Sequence, residues 1–225
     1  MEIEKLEIKT PNLKAQKEFY GITLSLEIQN ENANSFEVII GSSVLKLAED
    51  NTATPYHIAF HIPPEGINDA LNWVKERVEI QKNGNDEIVD FSAWNAESLY
   101  FYDADKNILE FISRSHLYPK ANQDFSEKSI LGIAEIGLVT NNIKQNFKAL
   151  NETIGLEKYD GNFDNFCAIG DDKGLIIIID KNKKDWFPTN DKAFVSDFSM
   201  TISHNDQSYN LNFEKDQLAI NMVHQ

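Results

Sequence analysis

The chain is short of the features that mark many protein classes. It has one cysteine, Cys167, among 225 residues. No internal disulfide can form, so a reducing, cytoplasmic setting is the expectation. No apolar run approaches the roughly 18 residues that cross a bilayer. The N-terminal stretch MEIEKLEIKT alternates charged with apolar residues and carries no signal-peptide core. Basic residues are scarce, with 21 Lys and Arg against 36 Asp and Glu and a net charge of −15. Such a chain repels a phosphate backbone and has no local Lys/Arg stripe, so neither nucleic acid nor membrane is an expected partner. There is no Gly-rich phosphate loop and no nucleophile elbow. What is present is 41% hydrophobic and 25% charged. That composition suits a soluble, acidic, globular protein, of one large domain or two of about 110 residues. Small molecules, metal ions or proteins are the partner classes left.

A repeat organises the sequence. A shift of 130 residues brings 5–14 (KLEIKTPNLK) into register with 135–144 (EIGLVTNNIK). Thr10, Asn12 and Lys14 meet Thr140, Asn142 and Lys144, and the offset still holds at Leu26-Glu27 against Leu156-Glu157. Each copy reads as an alternating strand ending at Thr, an Asn at a helix N-cap, a helix, then strands separated by turns. A further unit opens at 57–63 (HIAFHIP), continues as a helix over 65–78 and closes with a hairpin over 99–112. The last unit keeps a strand at 197–202 and a hairpin over 209–220. About six residues separate these, too few for a helix. The fold class expected is therefore α+β: tandem βαβββ modules, four in number, the last truncated and lacking its helix. Units one and two span 1–115 and units three and four span 129–225. The polar segment 115–128, with Pro119, suits a linker.

These residues resemble the vicinal oxygen chelate superfamily, which includes glyoxalase I, bleomycin-resistance proteins and extradiol dioxygenases. The resemblance is carried by the strand-Thr-Pro-Asn-Leu opening with Phe19-Tyr20 and by the hairpin Phe101-Tyr-Asp-Ala-Asp-Lys-Asn-Ile-Leu-Glu110. It implies paired modules forming two curled mixed β-sheets, each a cup around a small ligand. In active members a divalent metal sits in the cup, held by the first residue of a module's opening strand and by a Glu on its last strand. Carried over by position, unit two supplies His57 and Glu110. Unit one has Lys5 and Lys46, unit three has Glu135 and Ile176 or Ile177, and unit four has Asp197 and Ala219. If unit two packs on unit three, His57, Glu110 and Glu135 meet as a three-ligand metal site. If unit two packs on unit one, His57 and Glu110 face two ammonium groups.

Imidazole and carboxylate suit one divalent metal, Zn, Fe, Mn or Ni, acting as a Lewis acid in a lyase, isomerase or dioxygenase. The alternatives are a metal-free small-molecule binder, with Lys5 or Lys46 paired to Glu110, and a non-catalytic scaffold whose cups are packed solid. No catalytic residue is assigned. Ligand-cup candidates are Lys5, Lys46, His61, Trp94 and Tyr102. His61 lies on the same strand face as His57, and the aromatics cluster near the unit-two hairpin. The Asp103–Asn107 stretch superficially matches a calcium loop. Ile108 replaces the required glycine and Arg114 stands where the bidentate Glu belongs, so it reads as a hairpin turn. Cys167 has no basic neighbour and reads as a buried, inert thiol. The missing fourth helix leaves one sheet face without a cover in sequence, which makes a homodimer plausible.

Overall fold

The computed structural model describes residues 1–120 and 124–223. The linker expected over 115–128 thus includes three positions, 121–123, outside the described residues. Unit one contains β1 (Glu2–Thr10), α1 (Leu13–Glu18), β2 (Ile28–Gln29), β3 (Ser35–Ile40) and β4 (Ser43–Glu49). Unit two contains β5 (His57–Ile62), α2 (Ile67–Lys75), β6 (Ile80–Gln81), β7 (Val89–Phe91), β8 (Ala96–Tyr102) and β9 (Ile108–Arg114). Unit three contains β10 (Gly132–Thr140), α3 (Ile143–Ile154), β11 (Lys158–Gly161), β12 (Phe166–Asp171) and β13 (Gly174–Asp180). Unit four is β14 (Phe198–His204), β15 (Gln207–Glu214) and β16 (Gln217–Met222), with no helix among its described residues.

In units one to three the opening strand pairs in parallel with the closing strand: β1 with β4, β5 with β9, β10 with β13. Between units, opening strands pair antiparallel. β5 joins β10, and β1 joins β14. Unit two therefore shares a curled sheet with unit three, and unit one with unit four. Each cup takes one unit from either side of the 115–128 segment, so the sheets do not follow the division of the chain into 1–115 and 129–225. A β1–β10 contact at Ile3 and Ile133 links the two cups.

Strand alternation then sorts the residues. Ile58, Phe60 and Ile62 of β5, Leu6 and Ile8 of β1, Ile136 and Leu138 of β10, and Met200 and Ile202 of β14 enter one apolar core shared by all four units. The odd-numbered neighbours His57, Ala59 and His61 take the opposite face. The helix of unit three covers unit four as well: α3 packs against β16, β12 and β13, and Leu218 and Ile220 of β16 pack on the common core. The truncated unit thus takes part of its cover from the helix of unit three.

Hairpin turns lock the helix starts across units. Asp105, between β8 and β9, accepts from the Thr10 hydroxyl and from Asn12 Nδ2. Asp216, between β15 and β16, accepts from the Thr140 hydroxyl and from Asn141 Nδ2. Asn142 caps α3 through Gln145 N–H at 3.1 Å. The expected Asn12 cap on α1 is absent, because its side chain makes no cap hydrogen bond and its amide donates to Asp105.

Candidate functional site

The register of β9, β5 and β10 assembles the floor of one cup. Ala59 lies between Glu110 of β9 and Glu135 of β10, its two cross-strand partners. His57 lies one pleat away on the same face. All three are nearly inaccessible, at 6% exposure for His57 and 3% for each glutamate. His57 Nε2 is 3.0 Å from Glu110 Oε2, while His57 Nδ1 has no partner among the described residues. Along β9 the same face continues through Ile112 to Arg114, whose side chain is 1% exposed. Its Nη2 donates to Glu135 Oε1 at 3.2 Å. Its Nη1 reaches Tyr159 Oη at 3.3 Å and Asp172 Oδ1 at 3.4 Å. Burial pushes the Glu135 carboxyl well up, and the nearby Glu110 charge adds to that against the pull of Arg114.

Above this floor is a cavity of about 370 Å³, walled by Phe91, Trp94, Tyr100, Phe166, Trp186 and Phe187 and closed below by His57, Glu110 and Glu135. Trp94 is fixed by Nε1 donating to Asp160 at 2.7 Å. Trp186 and Phe187 come from the strap joining units three and four, residues 181–197. Trp186 is buried and its ring lies 5.1 Å from the His57 ring. It fits there because β10 carries Gly137: a Cβ at that position would stand 2.7 Å from Trp186 Cζ2 and closer still to Cη2. Phe187 packs edge-on against Tyr100 and Phe91. The strap is tied down by Tyr102, whose hydroxyl donates to Asp191.

Of the candidates drawn from the sequence, His57, Glu110, Glu135 and Trp94 line this cavity; the others do not. Lys5 and Lys46 lie in the cup of units one and four, where Lys5 pairs with Glu37 and Lys46 with Glu7 at 2.9 Å. They cannot neutralise Glu110, because β1 pairs with β14 and not with β5. His61 shares the face of His57 but lies at the other end of β5. There its Nε2 is 3.1 Å from the Lys173 carbonyl and its ring packs on Tyr118. Burial pulls its pKa down to about 4. Tyr102 lines a neighbouring cavity on the far side of Trp186. Asp197 Oδ1 accepts from the Lys215 N–H in the other half of the molecule. Cys167 is buried, and burial pushes its thiol up to about 11.

The charges here do not suit a resident divalent cation. Ile177 pairs with Gly137 and lines the cavity; it stands where the family pattern would place a fourth ligand. The buried guanidinium already holds Glu135 and would repel an ion beside it. Among the described residues, no group of three or more His, Cys, Asp or Glu side chains is arranged to hold a metal.

Arg114 and Trp186 are the site residues that reading the sequence missed. Arg114 could have been found by continuing the β9 alternation four residues past Glu110. Trp186 lies in an irregular segment, and its only sequence trace is Gly137 within a strand, which marks a close approach.

No protein-family model matches the sequence, and no curated protein matches it. Solved structures do match. A candidate dioxygenase from Bacillus subtilis superposes on 99% of this chain and 84% of its own, with a TM-score of 0.63 and 10% identity. A lactoylglutathione lyase from Agrobacterium tumefaciens covers 49% of this chain and 92% of its own, at 14% identity and a TM-score of 0.43. A glyoxalase/bleomycin resistance protein/dioxygenase from Nocardioides covers 55% and 89%, at 17% identity and a TM-score of 0.42. The chain shares its fold, over nearly its whole length, with the Bacillus subtilis protein. At these identities the likeness extends to the fold alone.

Proposed function

We propose that this protein binds a small molecule with a planar, apolar body in the cup of units two and three, without a metal. The aromatic walls take the body, and Glu110 and His57 take a hydrogen-bonding end. The observation that carries this reading is the 370 Å³ cavity, within the size range of small-molecule sites and lined as they are. A scaffold role calls for a filled cup, and this one is open. The dioxygenase and lyase activities named for the structural relatives belong to those proteins.

The test is a thermal-shift screen of planar aromatic fragments bearing a hydrogen-bond donor, run with EDTA and with added Zn²⁺, Mn²⁺, Ni²⁺ or Fe²⁺. A ligand at about 100 times its Kd adds about 2.7 kcal/mol of stability. Hits are expected to persist in EDTA and to vanish in Ile177→Trp, which fills the cavity. Binding that needs added metal, or that survives the filled cavity, refutes the reading.

A further inference from the structure

We propose that Arg114 is this cup's built-in replacement for a divalent cation, so that removing its charge unmasks a three-ligand metal site at His57, Glu110 and Glu135. This rests on the metal-free reading above and deepens it.

The argument begins at Ala59. Glu110 and Glu135 flank it on the strands to either side, each about 4.8 Å from β5, so their own backbones are roughly 9.6 Å apart. Only the methyl group of Ala59 stands between them, and His57 reaches Glu110 from one pleat away. One imidazole and two carboxylates around open positions are a donor set that first-row divalent metals accept. Two buried carboxylates on one strand face, one of them acted on by the other's charge, call for a positive partner: a proton, a metal or a basic side chain.

Arg114 meets that need. It leaves β9 on the same face as Glu110, is buried to 1% exposure, and holds Glu135 at 3.2 Å. Its Nε–H is buried and has no partner among the described residues, so the side chain is held by its charge partners more than by complete hydrogen bonding. A guanidinium is always charged and cannot be displaced as a proton can. A dication about 5 Å from it would be repelled enough, at an effective dielectric of about 20, to lose on the order of 10⁵-fold in affinity. One oxygen of Glu135 is also already taken by Arg114. Since Arg114 does not line the cavity, it compensates charge and leaves ligand contact to the His57–Glu110 pair.

The experiment is Co²⁺ titration of full-length wild type, Arg114→Gln and Arg114→Met, followed by visible absorption and equilibrium dialysis, with folding monitored by circular dichroism. Wild type is expected to bind less than about a tenth of an equivalent. Each variant should bind about one, at least a thousandfold more tightly, and lose it on adding His57→Ala. A variant that folds only when Co²⁺ is present supports the proposal equally. Folded variants that bind no more Co²⁺ than wild type, variants that neither fold nor bind it, or Co²⁺ binding that survives His57→Ala overturn it. The metal-free reading stands in those cases. Stoichiometric Co²⁺ in wild type itself overturns both.

Discussion

Gly137→Ala is the sharpest test of how the cup is closed. The added methyl would lie 2.7 Å from Trp186 Cζ2, closer still to Cη2, and 3.3 Å from His57 Cβ. The first two approaches are impossible, and β10 is a central strand that cannot retreat, so the indole must move. Overpacking alone costs about 1–3 kcal/mol. Expelling the indole forfeits up to about 5 kcal/mol more, for about 200 Å² of buried aromatic surface at 25 cal/mol/Å². Because a displaced ring keeps part of its burial, we expect a loss of about 2–4 kcal/mol by urea denaturation. That corresponds to a fall in Tm of roughly 5–15 °C for a chain of this size. The colliding atoms belong to the outer ring of the indole, which phenylalanine lacks. In a Trp186→Phe background, Gly137→Ala should therefore cost about 1 kcal/mol or less, giving a clear coupling in the double-mutant cycle. Equal costs in both backgrounds would show that Gly137 is needed for backbone reasons and that Trp186 does not rest on it.

Two further outcomes follow from buried polar groups. His61 is held neutral by burial, with a folded-state pKa near 4 against about 6.5 unfolded. A depressed value means that this contribution to stability is complete above pH 6.5 and is lost as pH falls from there towards 4. Between pH 7 and 4.5 wild type should lose roughly 2–3 kcal/mol more than His61→Gln in urea unfolding, and parallel pH profiles would contradict this. Asp216 ties unit four to the start of α3 through Thr140 and Asn141. Asp216→Ala should cost about 1–2 kcal/mol and speed amide hydrogen exchange in the first turn of α3, without an equal effect on α1; unchanged exchange there would remove the turn's anchoring role.

The repeat was legible because local pattern produces it. Alternation at 57–62, the Thr-x-Asn openings and the 130-residue register each depend on nearby residues, and the units appear where those signals place them. His57, Glu110 and Glu135 were reached through the family resemblance, and the period-two side-chain direction along their strands puts them on one face. What the sequence withheld was which strand edges meet. β1 could have joined β5 or β14 with the same alternation in either case, and only the outcome separates Lys5 from Glu110. Lys5 and Lys46 do face a cup, but not the one that holds Glu110. Edge choice depends on the whole core closing, including the reach of α3 over β16, and no window of ten residues encodes it.

The two cups show why one set of positions became two different surfaces. In the cup of units one and four, Lys5 with Glu37 and Lys46 with Glu7 are partly exposed ion pairs. They lie beside Ser199, Thr201, Asn210 and Asn212. Water solvates that face, so its charges need only approximate partners. The cup of units two and three is roofed by the 181–197 strap. Trp186 and Phe187 cover part of a floor that carries two nearly inaccessible carboxylates, and burial makes an unpaired charge costly. The strap and Arg114 are therefore linked requirements: the aromatic roof helps to bury the floor, and the buried guanidinium makes its carboxylates tolerable. A roof without Arg114 would leave Glu135 uncompensated, and Arg114 without a roof would be one more surface ion pair.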